Sequence, residues 1–179
     1  MPVIVAENTV KILIIPALLL ACLIAGCQTT PLTFQRPGSR WQTETGQLQY
    51  STPRRSIIGE CVVTCFDDTE FQLDFLAGPG FPIMKLRQSL DFARAEVAFA
   101  HVSWQGKTAH PPAKLKPWLA LRDVFSRLSS QPSSDGHVTI QSNTQGFWKA
   151  DATLKGGRPT DVTVEFPETR ERFVFHFNS

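Results

Sequence analysis

"KPWLALRDVFSRLSS", residues 116–130, decides how the rest of the chain is read. Trp118, Leu121, Phe125 and Leu128 recur at spacings of three and four, which lines one face of a helix. Pro117 suits the first turn, where a missing N–H costs nothing. Arg122, Asp123 and Arg127 fall largely on the other faces, and "SSQPSSDG" at 129–136 ends the segment as a flexible link. A lone amphipathic helix has one stripe to bury and needs a surface to bury it against.

That surface is predicted on both sides of the helix, where the apolar period switches to two, the strand signal. Upstream, "WQTETGQLQY" (41–50), "RSIIGECVVTCF" (55–66), "FQLDFL" (71–76), "IMKLRQS" (83–89) and "AEVAFAHVSW" (95–104) read as five strands. Their links are short: "DDTE" (67–70), "AGPGFP" (77–82) and "DFAR" (91–94). A proline-bearing loop, "GKTAHPPAK" (106–114), leads into the helix. Downstream, "HVTIQS", "FWKADATL", "TDVTVEF" and "RFVFHF" continue the pattern to residue 177, with turn chemistry in "KGGRP" and "PETRE". Alternation puts Phe173, Phe175 and Phe177 on one side and Val174 and His176 on the other. Short links imply neighbouring strands in a meander. The expected fold is mainly β (α+β): a curled antiparallel open half-barrel of about eight to nine strands, with one mid-sequence helix against its concave face.

Composition is consistent with this and narrows the partners. The 179 residues suffice for one ordinary domain, and 42% hydrophobic content is enough for a packed core. A formal charge of +2 with no polybasic stripe argues against nucleic acid. The aromatic set is skewed to 13 Phe against 1 Tyr, so most rings have no polar handle and belong in dry surroundings. Phe71, Phe75, Trp118, Leu121, Phe125, Phe173 and Phe175 therefore either fill a core or line a cavity for acyl chains. Composition does not choose between the two.

The front end supplies an address. "ILIIPALLLACLIA", residues 12–25, is an apolar run behind Lys11. As a helix its 14 residues span about 21 Å, short of a bilayer core of about 30 Å and right for a signal peptide. The run closes on Ile24-Ala25-Gly26-Cys27, followed by the polar "QTTP". This tetrad resembles the lipobox of bacterial lipoproteins: an aliphatic residue, a small pair that admits a peptidase, and a cysteine. The resemblance implies a diacylglyceryl thioether on Cys27, cleavage before it, and N-acylation of the freed amine. Residues 1–26 are then the signal peptide, 27–40 a lipidated end and tether, and 41–179 one β domain. Two or more acyl chains anchor stably where one does not. Gln28 in place of Asp implies, by the same resemblance, transfer to an outer membrane and a periplasmic outlook, or retention in the cell membrane if the host has no outer membrane. Residues 28–40, fully extended, reach at most about 45 Å, and a short helix at Leu32–Arg36 would stop at Pro37.

The order of elements over 41–179, with the anchored front end, resembles the lipoprotein localisation factors LolA and LolB. Their fold is an open antiparallel barrel with helices inserted as a lid over an apolar cavity. The resemblance implies lipid or lipoprotein acyl chains as cargo; with no catalytic constellation in the sequence, no enzymatic step and no cofactor are expected. It also implies a protruding apolar residue on an early hairpin that touches the membrane. "LAGPGFP", Leu76–Pro82, falls at a comparable place and offers Phe81. The alternative is a structural or adaptor lipoprotein with a filled core that contacts envelope proteins through its surface or its edge strands.

Other chemistry-bearing residues carry bland readings. Cys61 and Cys65, four apart, would share a face of a straight strand about 13 Å from each other, beyond the roughly 7 Å a disulfide allows. Buried free thiols, a bulge-assisted disulfide, an intermolecular link and a metal site are the alternatives. No Cys or His pair has metal-ligand spacing. His101, His110, His137 and His176 are scattered, Ser103 and Ser126 lack a nucleophile-elbow context, and Asp67-Asp68 reads as a turn.

Overall fold

The computed structural model describes Phe34 and residues 42–178, except 67–68, 79, 99–101, 132–134 and 144–145. Cys27, the tether and the Leu32–Arg36 segment (Phe34 apart), His101 and the Asp67-Asp68 turn lie outside the described residues. Ten antiparallel strands form one open sheet: β1 (Gln42–Thr52), β2 (Arg55–Phe66), β3 (Glu70–Ala77), β4 (Phe81–Gln88), β5 (Phe92–Val97), β6 (Val102–Lys107), β7 (Gly136–Ser142), β8 (Trp148–Lys155), β9 (Arg158–Phe166) and β10 (Glu171–Phe177). The spatial order is β6-β5-β4-β3-β2-β1-β10-β9-β8-β7. Two meanders therefore meet where the first strand pairs with the last. Gly46 lies opposite Phe177 and Tyr50 opposite Phe173. The one α-helix among the described residues, α1 (Lys116–Ser129), follows a 3-10 turn at Ala113–Leu115 and connects the two edge strands β6 and β7.

The count of ten corrects the expected eight to nine. The difference lies in "AEVAFAHVSW", read as one strand. The chain reverses inside it, and β5 pairs with β6 through Ala95–Trp104 and Val97–Val102. Its reversal, "AFAH", has no Gly, Pro, Asn or Asp to announce it. "DFAR", read as a link, instead opens β5 at Phe92. The helix falls within one residue of its expected ends.

Side-chain alternation gives the sheet two unlike faces. Across β2, β1, β10, β9 and β8, one inner row runs Gly59, Leu48, Phe175, Val162, Ala152, and the next runs Ile57, Tyr50, Phe173, Val164, Ala150. α1 packs on this face. Trp118 lies 4.7 Å from Tyr50, 4.8 Å from Phe173 and 6.3 Å from Phe75, measured between ring centroids. Phe125 stacks on Phe71 at 5.7 Å and meets Phe175 edge-on at 5.2 Å. At Gly46 an added Cβ would sit 2.0 Å from the His176 carbonyl oxygen, so only glycine lets β1 and β10 close here.

Candidate functional site

The residues proposed to line a cavity or fill a core come together in one cluster beneath α1. Phe71, Phe75, Leu121, Phe173 and Phe175 are at most 1% exposed, Phe125 is 3% and Trp118 is 5%. The ring spacings are those of direct contact. The space between helix and sheet is therefore occupied by the protein's own side chains. Tyr50 and Trp148, which sequence reasoning did not single out, belong to the same cluster. Tyr50 keeps its hydroxyl partnered there by donating to Glu171 Oε1 at 2.5 Å. Burial, then the Glu171 hydrogen bond, raises its pKa. Trp148 is wholly buried, with the Arg127 guanidinium 5.9 Å from its ring centroid.

Phe81 stands apart from this cluster. It follows Gly78 (φ 54°) and Gly80 (φ 85°), whose left-handed backbones turn the β3–β4 hairpin sharply enough to leave the ring at the tip. It is 70% exposed. β4, β6 and β8 all begin at the same end of an antiparallel sheet, so Val102 and Phe147 share that rim with Phe81. Ile58, early in β2, lies close to it. All three are exposed as well. Spacing along the sequence gave no sign that these residues share a rim; only strand order brings them there.

Cys61 and Cys65 are both free thiols on β2. They occupy alternate positions on the helix-bearing face, opposite Phe75 and Phe71 respectively. Burial pushes each thiol up to about 12, and the Glu44 carboxylate adds to the rise at Cys65. They are protonated and unreactive at neutral pH. Glu44 itself is an acid on the apolar face, and burial raises its pKa against the lowering effect of Arg158, 3.9 Å away.

His137 and His176 go to the opposite, polar face, and His110 lies in the loop that leads into the helix. His176 Nδ1 meets Asp161 Oδ1 at 2.7 Å, and His137 Nε2 lies 3.7 Å from Asp151. Both are exposed, and among the described residues no hydroxyl nucleophile is hydrogen-bonded to either ring. Ser103 lies on this polar face too, opposite Glu96. Among the described residues no three His, Cys, Asp or Glu side chains gather as metal ligands, and no helix is long and apolar enough to cross a membrane.

No protein-family model matches the chain, and no curated protein is significantly similar to it.

Proposed function

We propose that this protein is a lipid-anchored envelope lipoprotein that works by surface contact, seated on a bilayer through acylated Cys27 and through the rim that carries Phe81. The observation that carries the reading is Phe81 itself: a large apolar ring, 70% exposed, on a glycine-hinged tip. An exposed phenylalanine costs nothing once a bilayer or an apolar partner covers it. The ten strands curl as an open half-barrel with α1 on the concave face. Rings from β3 and β10, three strand spacings apart, both reach Phe125, and Gly46 marks a tight bend between β1 and β10. Because that hollow is filled, the domain is a rigid module, and the open edges β6 and β7 are available to envelope proteins.

The reach of the chain permits both contacts with one membrane. β1 starts at the end of the sheet opposite Phe81, and its 11 residues span about 36 Å. Residues 28–41, fully extended, cover up to about 48 Å, enough to run back past the whole strand. Gln28 favours the outer membrane, periplasmic side. The proposed action makes and breaks no covalent bond.

A second reading keeps acyl chains or a lipoprotein anchor as cargo beneath α1. It is favoured by the largely apolar contact under the helix, where Tyr50 brings in the one hydroxyl of the ring cluster. Near its C-terminal end Arg127 ties the helix to β7 by donating to Ser142 Oγ at 3.3 Å. Cargo would then have to displace Trp118 and Phe125.

Expression in a lipoprotein-processing bacterium with labelled palmitate tests the first reading. The expected result is label on the protein, lost in Cys27→Ala, and recovery in the outer-membrane fraction. Residual vesicle binding of Cys27→Ala should fall in Phe81→Glu. A chain that is never acylated and stays soluble would end the first reading. Native mass spectrometry of the detergent-extracted chain addresses the second: lipid retained beyond the covalent anchor would favour cargo over a closed module.

A further inference from the structure

The outer face of β3–β6 carries a row of side chains that the proposed function leaves unused. Register aligns Gln72, Arg87, Arg94 and Gln105 across four adjacent strands. Several opposed charges on this face have opposite sign. Asp74 faces Lys85, which faces Glu96, and Glu165 faces both Arg172 and Lys149. At Arg87 and Arg94 two cations oppose each other directly, with Cα atoms about 5 Å apart, an arrangement that destabilises a sheet unless something neutralises it.

The local acids do not do so fully. Glu96 holds Arg94 at 2.7 Å. Arg87 has no ion pair among the described residues. On its other side Gln72 is 8% exposed, and its Nε2 is buried without an acceptor. A buried donor with no partner costs about 1–3 kcal/mol. The row therefore has guanidinium and amide donors in excess and lacks one acceptor.

We infer that this row binds a phosphate-type oxyanion, held by the Arg87 guanidinium and the Gln72 amide, with Arg94 supplying the second charge. Two guanidiniums and an amide present several N–H donors to one tetrahedral anion, and charge-assisted bonds of this kind are about twice as strong as neutral ones. The phosphate group is either free or part of a lipid headgroup.

The test is a titration of the full chain, isotopically labelled, in maltoside micelles, read by NMR. Inorganic phosphate is expected to move the Gln72 side-chain amide saturably, and Arg87→Gln/Arg94→Gln to weaken the effect about tenfold or more. Arg54→Gln, at the far end of the sheet, should leave it unchanged. Glycerophosphoglycerol, the deacylated headgroup of an anionic phospholipid, separates the sources: saturable shifts with it as well assign a lipid phosphodiester, and shifts with inorganic phosphate alone assign a free phosphate or monoester. A Gln72 amide that neither probe moves would overturn the site. So would the same shift from chloride at matched ionic strength, or an unaltered titration of the double variant.

Discussion

The two faces of the sheet are made by the same ten strands and obey different rules. On the helix-bearing face, Trp104, Ala95, Leu86, Leu73 and Val63 stand in one row across β6 to β2, and the row closes on Glu44 in β1. On the other face the neighbouring row reads Ser103, Glu96, Lys85, Asp74, Val62 and Thr45. Stability is concentrated on the first face, because apolar burial scales with area removed from water. The second face is largely solvated, with Thr64 and Gln72 as buried exceptions, and its exposed ion pairs are worth little because water screens them. The first face therefore tolerates few changes, and the second is free to carry surface chemistry such as the arginine row.

The sharpest way to break this contrast is Trp118→Ala. The ring touches strands β1, β3 and β10 at once, so its loss should cost about 3–5 kcal/mol, read as a lower midpoint in urea unfolding. A loss under about 1 kcal/mol would mean that the helix contributes little to the inner face and that the hollow beneath it opens readily.

Gly46→Ala should come next. Its Cβ would meet the His176 carbonyl oxygen at 2.0 Å and Phe177 Cα at 2.7 Å, backbone that cannot step aside without parting β1 from β10. A cost of about 2 kcal/mol or more is expected, with amide exchange accelerated in both strands. Unchanged protection there would show that the seam between the two meanders is looser than the packing implies.

Glu44→Gln tests the one acid in the apolar row, and its sign is opposite. Burial raises the folded-state pKa above the ordinary 4.5, so ionised Glu44 disfavours the folded chain at neutral pH. Below 4.5 the carboxyl is protonated in both states and the penalty vanishes. The amide should therefore raise the melting temperature slightly at pH 7 and lose that advantage as the solution is acidified past that value. A destabilised variant at pH 7 would instead make the Arg158 contact the larger effect.

The smallest effect belongs to the polar face. Thr139 donates to Asp151 Oδ1 at 2.6 Å and Lys149 pairs with Oδ2 at 3.0 Å. The Thr139 bond, then Lys149, holds this carboxyl below its usual range. Asp151 contributes stability above the unfolded value near 4 that is lost as pH falls through the folded one. With water at hand, Asp151→Asn should cost well under 1 kcal/mol at pH 7, and calorimetry at pH 7 and pH 3 would show the difference shrinking.

Much of this architecture was legible in the chain because the signals are local. Alternation in "RFVFHF" and "TDVTVEF" assigns faces correctly, since a strand's period of two holds whatever lies beside it. The three- and four-residue spacing from Trp118 to Leu128 likewise marks a helix with a buried stripe. The hairpin inside "AEVAFAHVSW" was hidden because its turn lacks the residues that favour turning, so its two short arms read as one continuous strand. That Cys61 and Cys65 share one face was legible, because alternation along a single strand settles it, whereas the choice among free thiols, a disulfide and a metal site stayed open in the sequence; the structure holds both as free thiols.

Apart from the β5–β6 hairpin, the sequence by itself determined the elements, their faces and the turns at "AGPGFP" and "KGGRP", all of which follow from backbone preferences within a few residues. Only the tertiary structure decided that Trp118 and Phe125 fill the hollow they cover. It alone set Phe81, Val102 and Phe147 on one rim and Arg87 against Arg94. Those outcomes depend on which strands become neighbours, and strand neighbours are selected by burial of the whole inner face, a property that no single stretch of the chain carries.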